Sequence, residues 1–328
     1  MRAKLISKGR VSLPITLTAI FAVAITFTLN ACGPSKAELA IMAMPSVGEA
    51  SGLWNKLIWL EGNVQSGGNY VLEIEDTDKI YVKRYLSYKN VTNVTITLKG
   101  AGANGIINNS FIVGSGVTLI LENITLKDGY DYWPPSVEVD TGGTLIMNDG
   151  SAITGKTISN DKNRVYSCGQ LIKTYGAGVR VNSGGTFIMK GGTIYGNTIQ
   201  LHYGLGFNVV SVRDGKCTYN FNPLGAGVHI DYGGTFIKTG GTITCYSSDP
   251  ESGNVIRDTE GNVLNGFGHA ISFGTPKGEE PKAIDTTIGP EITINFKNGI
   301  FSEGRNEEAK LQEATAEPVE PQMPPQGE

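Results

Sequence analysis

The phrase Ser136-Val-Glu-Val-Asp-Thr-Gly-Gly-Thr-Leu-Ile-Met147 recurs twice further along the chain in closely similar form. The second copy begins at Gly178 and reads GVRVNSGGTFIM, and the third begins at Gly227 and reads GVHIDYGGTFIK. Each copy has two short segments around a Gly-Gly pair, which predicts two strands joined by a tight turn. Repetition of this unit predicts a stack of coils in which each copy lies on the previous one.

Alignment of the copies extends the repeat to five equivalent triplets. The outer residues of each triplet are apolar and the middle residue varies, which predicts that the outer residues face a core and the middle residue faces solvent. The five triplets are Phe111-Ile112-Val113, Val137-Glu138-Val139, Val179-Arg180-Val181, Val228-His229-Ile230 and Ile271-Ser272-Phe273. A second predicted column contains Leu119/Leu121, Leu145/Met147, Phe187/Met189 and Phe236/Lys238, and a third contains Ile124, Ile153, Ile194 and Ile243.

Three strands per coil, each apolar on one side, predict an all-β protein with a right-handed parallel β-helix, a solenoid of three sheets. Helical spacing of apolar residues after Ser51 predicts a short helix that caps the N-terminal end of the stack. Strands are predicted at 70–74, 80–85 and 94–98, and loops at 159–175, 199–224 and 246–267. Lys238 interrupts the second column, so we expect either a leaky edge or a lysine that extends outward to solvent.

Composition agrees with this fold class. Of the 328 residues 40% are hydrophobic and 44 are glycine, which suits a β protein with frequent turns. The formal net charge of -4 and the scattered Lys and Arg residues argue against nucleic acid as a partner.

The N-terminus is predicted to be an export signal. Basic residues precede an apolar run at 11–29, and the run ends in Leu29-Asn30-Ala31-Cys32. This ending resembles a bacterial lipobox, which implies a signal peptide at 1–31 and lipidation of Cys32 with palmitate or a similar acyl chain. The alternative is an uncleaved transmembrane anchor. Either interpretation attaches the protein to a membrane. The rest of the chain is predicted to contain a tether at 32–50, a β-helix domain at 51–304 and a disordered, acidic, Pro-rich tail at 305–328.

Several phrases resemble bacterial surface lipoproteins that carry right-handed β-helix repeats. They include GGTFIMKGGTIYGN from Gly184, GSGVTLILENITL from Gly114, QSGGNY from Gln65 and GHAI from Gly268. The resemblance implies an adhesin-like protein at the outer membrane or cell surface, with a fold similar to that of pectate lyases. Because polysaccharide lyases and hydrolases share this fold, the resemblance alone does not decide the activity.

Candidate catalytic groups are sparse in the repeats. Asp140, Asn182 and Asp231 precede successive Gly-Gly turns and predict a hydrogen-bonded ladder, with a catalytic carboxylate pair as the less favoured reading. Glu138, Arg180 and His229 are predicted to form a cross-strand ion pair on a solvated face, with a lyase-type site as the alternative. His202, His229 and His269 are not spaced as metal ligands, so neither a metal nor a cofactor is predicted.

Two further groups of residues have alternative interpretations. Tyr130, Tyr132 and Trp133 lie in one predicted loop, where they either bind a glycan or protein partner or fold back over the apolar flank of the stack. Cys168 and Cys217 each lie eight residues before a Gly-Ala-Gly-Val phrase, so they predict either a disulfide between neighbouring coils or two free thiols.

The sequence therefore predicts a membrane-tethered β-helix scaffold without enzymatic activity that presents loops for adhesion or ligand binding. Its partners are expected to be the membrane, through the lipid, and a glycan or a host or envelope protein. The alternative is a carbohydrate-active β-helix enzyme, either a polysaccharide lyase or a hydrolase.

Overall fold

The structure is a computed structural model that describes residues 52–74, 83–100, 105–107, 110–127, 135–159, 176–201, 208–213, 216–220, 225–258, 260–264, 268–276 and 282–305. The predicted signal peptide and tether, and the tail from residue 306 onward, lie outside the described residues. Within these ranges the chain forms one α-helix and 25 β-strands, most of which pair in parallel.

The largest sheet, sheet A, contains eight strands, and its first six pair in parallel. The registers confirm the predicted second column, because its residues pair with one another on successive strands and are buried. In spatial order the strands are β1 (Asn69–Ile74), β3 (Val94–Gly100), β6 (Val117–Glu122), β9 (Thr144–Met147), β13 (Thr186–Met189), β19 (Thr235–Lys238), β24 (Ile292–Lys297) and β25 (Ile300–Arg305).

Sheet B contains seven strands and holds all five predicted triplets in the predicted register. A further strand precedes them, and an antiparallel strand follows them. In spatial order the strands are β2 (Lys83–Leu86), β5 (Ser110–Val113), β8 (Val137–Val139), β12 (Val179–Val181), β18 (Val228–Ile230), β22 (Ile271–Phe273) and β23 (Lys282–Ile284).

Sheet C carries the third column, with one correction to the predicted register. Leu126, and not Ile124, pairs with Ile153, and the column then continues through Ile194 and Ile243. The five strands are β4 (Gly105–Ile107), β7 (Ile124–Lys127), β10 (Ala152–Thr154), β14 (Thr193–Tyr195) and β20 (Thr242–Ile243).

A fourth parallel sheet, sheet D, is absent from the predicted three-sheet coil. Its strands are β11 (Thr157–Ser159), β15 (Thr198–Leu201) and β21 (Val255–Asp258). Two of these strands, together with the antiparallel hairpin of β16 (Asn208–Arg213) and β17 (Lys216–Asn220), lie largely within segments predicted to be loops. Sheet D buries a small second apolar cluster that contains Ile158, Ile199 and Ile256.

The chain visits the sheets in a repeating order. From β9 it passes to sheet C, then D, then B, and returns to sheet A one strand further along at β13. The same order recurs from β13 to β19. One continuous apolar core lies between the sheets, with stacked rings such as Phe187 and Phe236, whose centroids are 5.1 Å apart. This arrangement of parallel strands in stacked sheets is compatible with a β-helix-like solenoid.

A ladder of asparagines, missed by the sequence analysis, stabilises the bend between sheets C and D. Asn197 and Asn254 are fully buried at equivalent positions in successive coils. The Asn197 side-chain amide donates to Asn254 Oδ1 at 2.9 Å, and the Asn254 amide donates to the carbonyl oxygen of Ile194 at 2.9 Å. The side-chain oxygen Oδ1 of Asn197 accepts from the backbone N–H of Lys156 at 3.2 Å. These bonds satisfy backbone groups that the bend removes from the sheets.

The two ends of the stack are closed differently. At the N-terminal end the predicted helix is confirmed as α1 (Gly52–Asn63), which packs on β1 and buries Leu53, Leu57 and Leu60. At the other end β24 and β25 form an antiparallel hairpin through Asn298 and Gly299, whose φ angles of 52° and 80° suit a type I′ turn. Among the described residues no helix has both the length and the hydropathy needed to span a bilayer.

Lys238 lies beneath this C-terminal hairpin. The lysine is fully buried, and its Nζ donates to the carbonyl oxygens of Gly289 at 2.7 Å and Ile292 at 2.8 Å. Both expectations for Lys238 are therefore wrong, because the side chain neither reaches solvent nor lies at a leaky edge. The parallel stack ends at this rung, and the lysine binds backbone carbonyls of the segment that covers it.

Candidate functional site

The middle residues of the sheet B triplets form one column, and their predicted exposure to solvent is wrong. Glu138 is 6% exposed and Arg180 is 8% exposed, and Ile112, His229 and Ser272 are buried even more deeply. We use the name polar column for Glu138, Arg180, His229 and Ser272 together with the adjoining turn residues Asp140, Asn182 and Asp231. This group contains the densest set of titratable side chains in the described parts of the repeats.

The glycine-rich phrases that precede each triplet form part of the cover over the polar column. A Cβ atom added to Gly176 would lie 3.2 Å from the Cβ of His229, and one added to Gly225 would lie 2.7 Å from Ser272 Oγ. Both glycines have positive φ angles, which other residues rarely adopt. Glycine therefore lets the backbone of one coil lie directly against the polar side chains of the next.

Arg180 binds two carboxylates from different coils. Its Nη2 atom donates to Asp231 Oδ2 at 2.9 Å, and its Nη1 atom lies 3.7 Å from Glu138 Oε1. The predicted pair of Glu138 and Arg180 is present, but it is buried and not on a solvated face. Removing charged groups from water is costly, so each buried charge here requires its partner.

His229 links Asp231 to the last rung of the column. Its Nε2 atom lies 3.0 Å from Asp231 Oδ1, and its Nδ1 atom lies 2.7 Å from Ser272 Oγ. With Nε2 protonated, the ring donates to the carboxylate and accepts from the serine hydroxyl. Sequence analysis missed this chain of contacts, although the positions of Ser272 and His229 in adjacent triplets were a usable signal.

The predicted turn ladder forms only in part. The Asn182 side-chain amide donates to Asp140 Oδ1 at 2.5 Å and to Glu138 Oε1 at 3.1 Å. Asp231 does not continue this ladder, because both of its oxygens are directed to Arg180 and His229. The turn residues therefore divide into two connected groups, one on each side of Arg180.

The charge states of the column follow from burial and pairing. Burial acts to raise the pKa of Asp231, but the hydrogen bond to His229 and the Arg180 guanidinium outweigh it and lower the pKa to about 2. Burial lowers the pKa of His229 more strongly than Asp231 raises it. At neutral pH the column therefore holds an ionised Asp231 and a neutral His229.

This geometry limits the chemistry available at the column. Ser272, His229 and Asp231 have the order of contacts that activates a nucleophile. Ser272 is nevertheless fully buried, and the backbone of Gly225 occupies the space beside its hydroxyl. A glycosidase acid needs a carboxyl with a raised pKa, whereas the pKa of Asp231 is lowered. The column is thus a polar network that is buried at Glu138, Arg180, His229 and Ser272 and partly exposed at the turn residues Asp140, Asn182 and Asp231.

The remaining predicted site residues are placed only in part. Cys32, Tyr130, Tyr132, Trp133, Cys168 and His202 lie outside the described residues, as does the side chain of Cys217. Cys245, which had no predicted partner, is a buried free thiol. No group of three or more His, Cys, Asp or Glu side chains suited to hold a metal occurs in the part of the chain that the structure describes.

His269 occupies the corner where Ala177 and Ala226 lie in earlier coils, and Gly268 and Ala270 flank it. Its Nδ1 atom accepts from the backbone N–H of Ile256 at 2.9 Å, so the ring satisfies an amide on the last strand of sheet D. Burial lowers the pKa of His269. This histidine is therefore a structural cap at the edge of sheet D.

Comparison with known proteins assigns no family to this architecture. A scan of protein-family models, a search of curated proteins and a search of solved structures each found no match to this chain.

Proposed function

We propose that this protein is a lipid-anchored lipoprotein of the outer membrane or cell surface whose right-handed parallel β-helix is a non-enzymatic scaffold for adhesion or ligand binding. The export signal and the lipobox at Cys32 support the anchor. The repeated order of parallel sheets and the shared register of five triplets support the solenoid.

The observation that carries the non-enzymatic proposal is the closure of the polar column. Glu138 and Asp231 are both bound by Arg180, and His229 is held between Asp231 and Ser272. Four of these five side chains are buried, whereas the Asp231 side chain is 28% exposed. Buried groups that satisfy one another stabilise a fold and leave no free acid or base for a substrate. Function is then expected on the outer faces and in the loops.

The anchor is tested by labelling cells with radioactive palmitate. We expect label on the wild-type chain and none on Cys32→Ser, which would stay in the uncleaved form. Equal labelling of both chains, or wild-type protein that keeps residues 1–31, would contradict lipidation and favour the transmembrane anchor. Protease treatment of intact cells then separates a surface-facing orientation from a periplasmic one.

Ligand binding is tested with the full-length protein in detergent on arrays of glycans and matrix proteins. The loop that holds Tyr132 and Trp133 is the proposed contact, so Trp133→Ala and Tyr132→Ala should lower binding and leave the melting temperature unchanged. Unchanged binding with a lowered melting temperature would show instead that these rings cover the flank of the stack.

A carbohydrate-active enzyme is the second candidate. It is favoured by one observation: Glu138 and Asp140 from one coil and Asp231 from the second coil after it lie around Arg180 and Asn182. Acids on neighbouring rungs beside a basic residue are what a lyase or hydrolase needs. Release of oligosaccharides from a polysaccharide by the wild type, and its loss in Asp231→Asn, would establish this candidate.

A further inference from the structure

The outward face of sheet A carries two columns of uncharged residues in strict register. The first column is formed by five threonines on successive parallel strands, Thr95, Thr118, Thr144, Thr186 and Thr235. The second column lies two residues further along the same strands and contains Thr97, Ile120, Ile146, Ile188 and Ile237. We call these ten residues the Thr–Ile face. All ten side chains are partly exposed.

The threonine hydroxyls of the first column are available to a ligand. In the described part of the chain none of the five has an intramolecular hydrogen-bond partner. Five donors that can also accept are therefore arranged in a row, next to a row of branched apolar side chains. Elsewhere in the repeats the polar groups are used internally, as in the polar column and the asparagine ladder.

Charged side chains lie along one border of the Thr–Ile face and at its C-terminal end, where the exposed Lys297 of β24 pairs with Thr235. A third outward column contains Glu73, Lys99, Glu122 and Lys190, and within it Lys99 Nζ lies 3.1 Å from Glu122 Oε1. The two central columns carry no charged side chain. An uncharged ligand could lie on them without removing an ion from water, whereas an acidic or basic polymer would gain no counter-charge there.

Short turns border the Thr–Ile face at β9, β13 and β19. Residues 140–143 precede β9 and residues 148–151 follow it, and the corresponding turns of β13 and β19 are similarly short. The long connections of these coils begin after sheet D and end before sheet B. Among the described residues, a linear ligand along the stack therefore has short turns on both sides of sheet A at these three strands.

The size of the face argues against a second copy of the chain as its occupant. Five rungs spaced by about 4.8 Å and two outward positions per strand cover roughly 300 Å². A stable dimer buries about 800 Å² on each partner. A narrow strip about 24 Å long instead fits a single extended chain with its own short repeat.

We propose that the Thr–Ile face binds an uncharged polysaccharide that lies along the stack, with about one sugar ring on each rung. The threonine hydroxyls exchange hydrogen bonds with sugar hydroxyls, and the isoleucines contact the C–H faces of the rings. This inference rests on the proposed binding function and deepens it by naming the ligand class and the surface.

The experiment measures retention of the full-length protein in detergent by immobilised hydroxyethylcellulose, mannan and chitin, with polygalacturonate as the acidic comparison. We expect wild-type binding to at least one neutral polymer and weaker binding to polygalacturonate. Ile146→Lys and Ile188→Lys should each weaken binding about tenfold, because a charge is placed against the neutral ligand. Thr186→Val keeps the shape of the side chain but removes a hydroxyl, and should weaken binding severalfold.

The matched control is Thr193→Lys, which introduces the same charge at a partly exposed threonine on sheet C. It should bind like the wild type, and thermal melts should show that all variants are folded. Neutral-polymer binding that survives Ile146→Lys, Ile188→Lys and Thr186→Val would overturn the inference while leaving the binding function intact. Absence of wild-type binding to any neutral polymer would also overturn it, and the matrix-protein arrays would then decide the broader proposal separately. A dimer in sedimentation that Ile188→Lys dissociates would assign the face to a second copy.

Discussion

Arg180 on β12 and Asp231 in the turn directly after β18 form a hydrogen-bonded ion pair, with Nη2 and Oδ2 separated by 2.9 Å. The same guanidinium lies beside Glu138, and Asp231 also binds His229. Three coils are thus connected by charged groups beneath the backbone of the glycine-rich phrases. These charges are largely removed from water, so they stabilise the fold only while each is paired with another. Loss of one member is therefore expected to lower the free energy of unfolding strongly.

Substitution of Arg180 by methionine should strongly destabilise the protein. The buried Glu138 carboxylate and the partly buried Asp231 carboxylate would lose their cation, and breaking a buried ion pair typically costs about 3–5 kcal/mol. Urea unfolding at pH 7 gives the free energy directly. The matched control is Lys99→Met, because Lys99 and Glu122 form an exposed pair of the kind that contributes about 0–1 kcal/mol. Equal effects of the two substitutions would show that the buried pair has no special role.

Stability should decline as the pH falls, in two ranges. The pKa of His229 is lowered in the fold, so below its ordinary value of 6.5 the unfolded chain takes up a proton that the folded chain refuses. Asp231 has a pKa of about 2 against an ordinary 3.8, so its stabilisation is present above pH 3.8 and is lost between 3.8 and 2. Unfolding free energies measured from pH 7 to 3 test both declines, the one assigned to His229 and the one assigned to Asp231. His229→Gln should flatten the decline just below pH 6.5, with the remaining slope assigned to His269, whose pKa is also lowered.

Stability at alkaline pH tests whether Lys238 is buried. Burial lowers its pKa from 10.5 to about 8, although the charge of Glu291 acts to raise it. Between pH 8 and 10.5 the unfolded chain binds more protons, so the stability of the wild type should rise with pH across this range. Lys238→Met extends the column of Met147 and Met189 and should remove the rise. Parallel curves for the two proteins would contradict a buried Lys238.

The asparagine ladder should contribute strongly to the stability of the fold. Asn254→Leu keeps the approximate volume but removes the Oδ1 acceptor of the backbone and side-chain N–H groups of Asn197, and one of the two donors to the carbonyl oxygens of Ile194 and Thr244. Each buried group left unsatisfied costs about 1–3 kcal/mol, and thermal unfolding should show a lower transition. Asn262→Leu is the control, because Asn262 is exposed. A melting temperature for Asn254→Leu equal to that of the control would contradict the ladder.

The sequence correctly predicted which residues of the sheet B triplets face the main core. In Val179-Arg180-Val181 the alternation identifies the inward residues, and register follows because a slip by one residue would bury the wrong set. The same alternation failed for Arg180, since it cannot reveal that backbone from another coil covers the opposite face. The pairing of Arg180 with Asp231 needs two coils, 51 residues apart in sequence, in their folded positions.

Sheet D and the C-terminal end of the stack were missed for other reasons. Strands of three or four residues, such as Thr157–Ser159, are too short to show a clear period beside polar neighbours. Lys238 appeared anomalous because its partners, the carbonyls of Gly289 and Ile292, are more than 50 residues away. The C-terminal hairpin did carry a local signal in Asn298-Gly299, a pair that favours a two-residue turn.

The central claim is that this protein binds through its outer surface and performs no chemistry at the polar column. The most direct measurement is the release of reducing ends from a broad panel of polysaccharides by the full-length protein, side by side with Asp231→Asn and Glu138→Gln. We predict no release above background by any of the three proteins. Release by the wild type that is abolished in both variants, with both variants folded, would contradict the claim and make the polar column an active site.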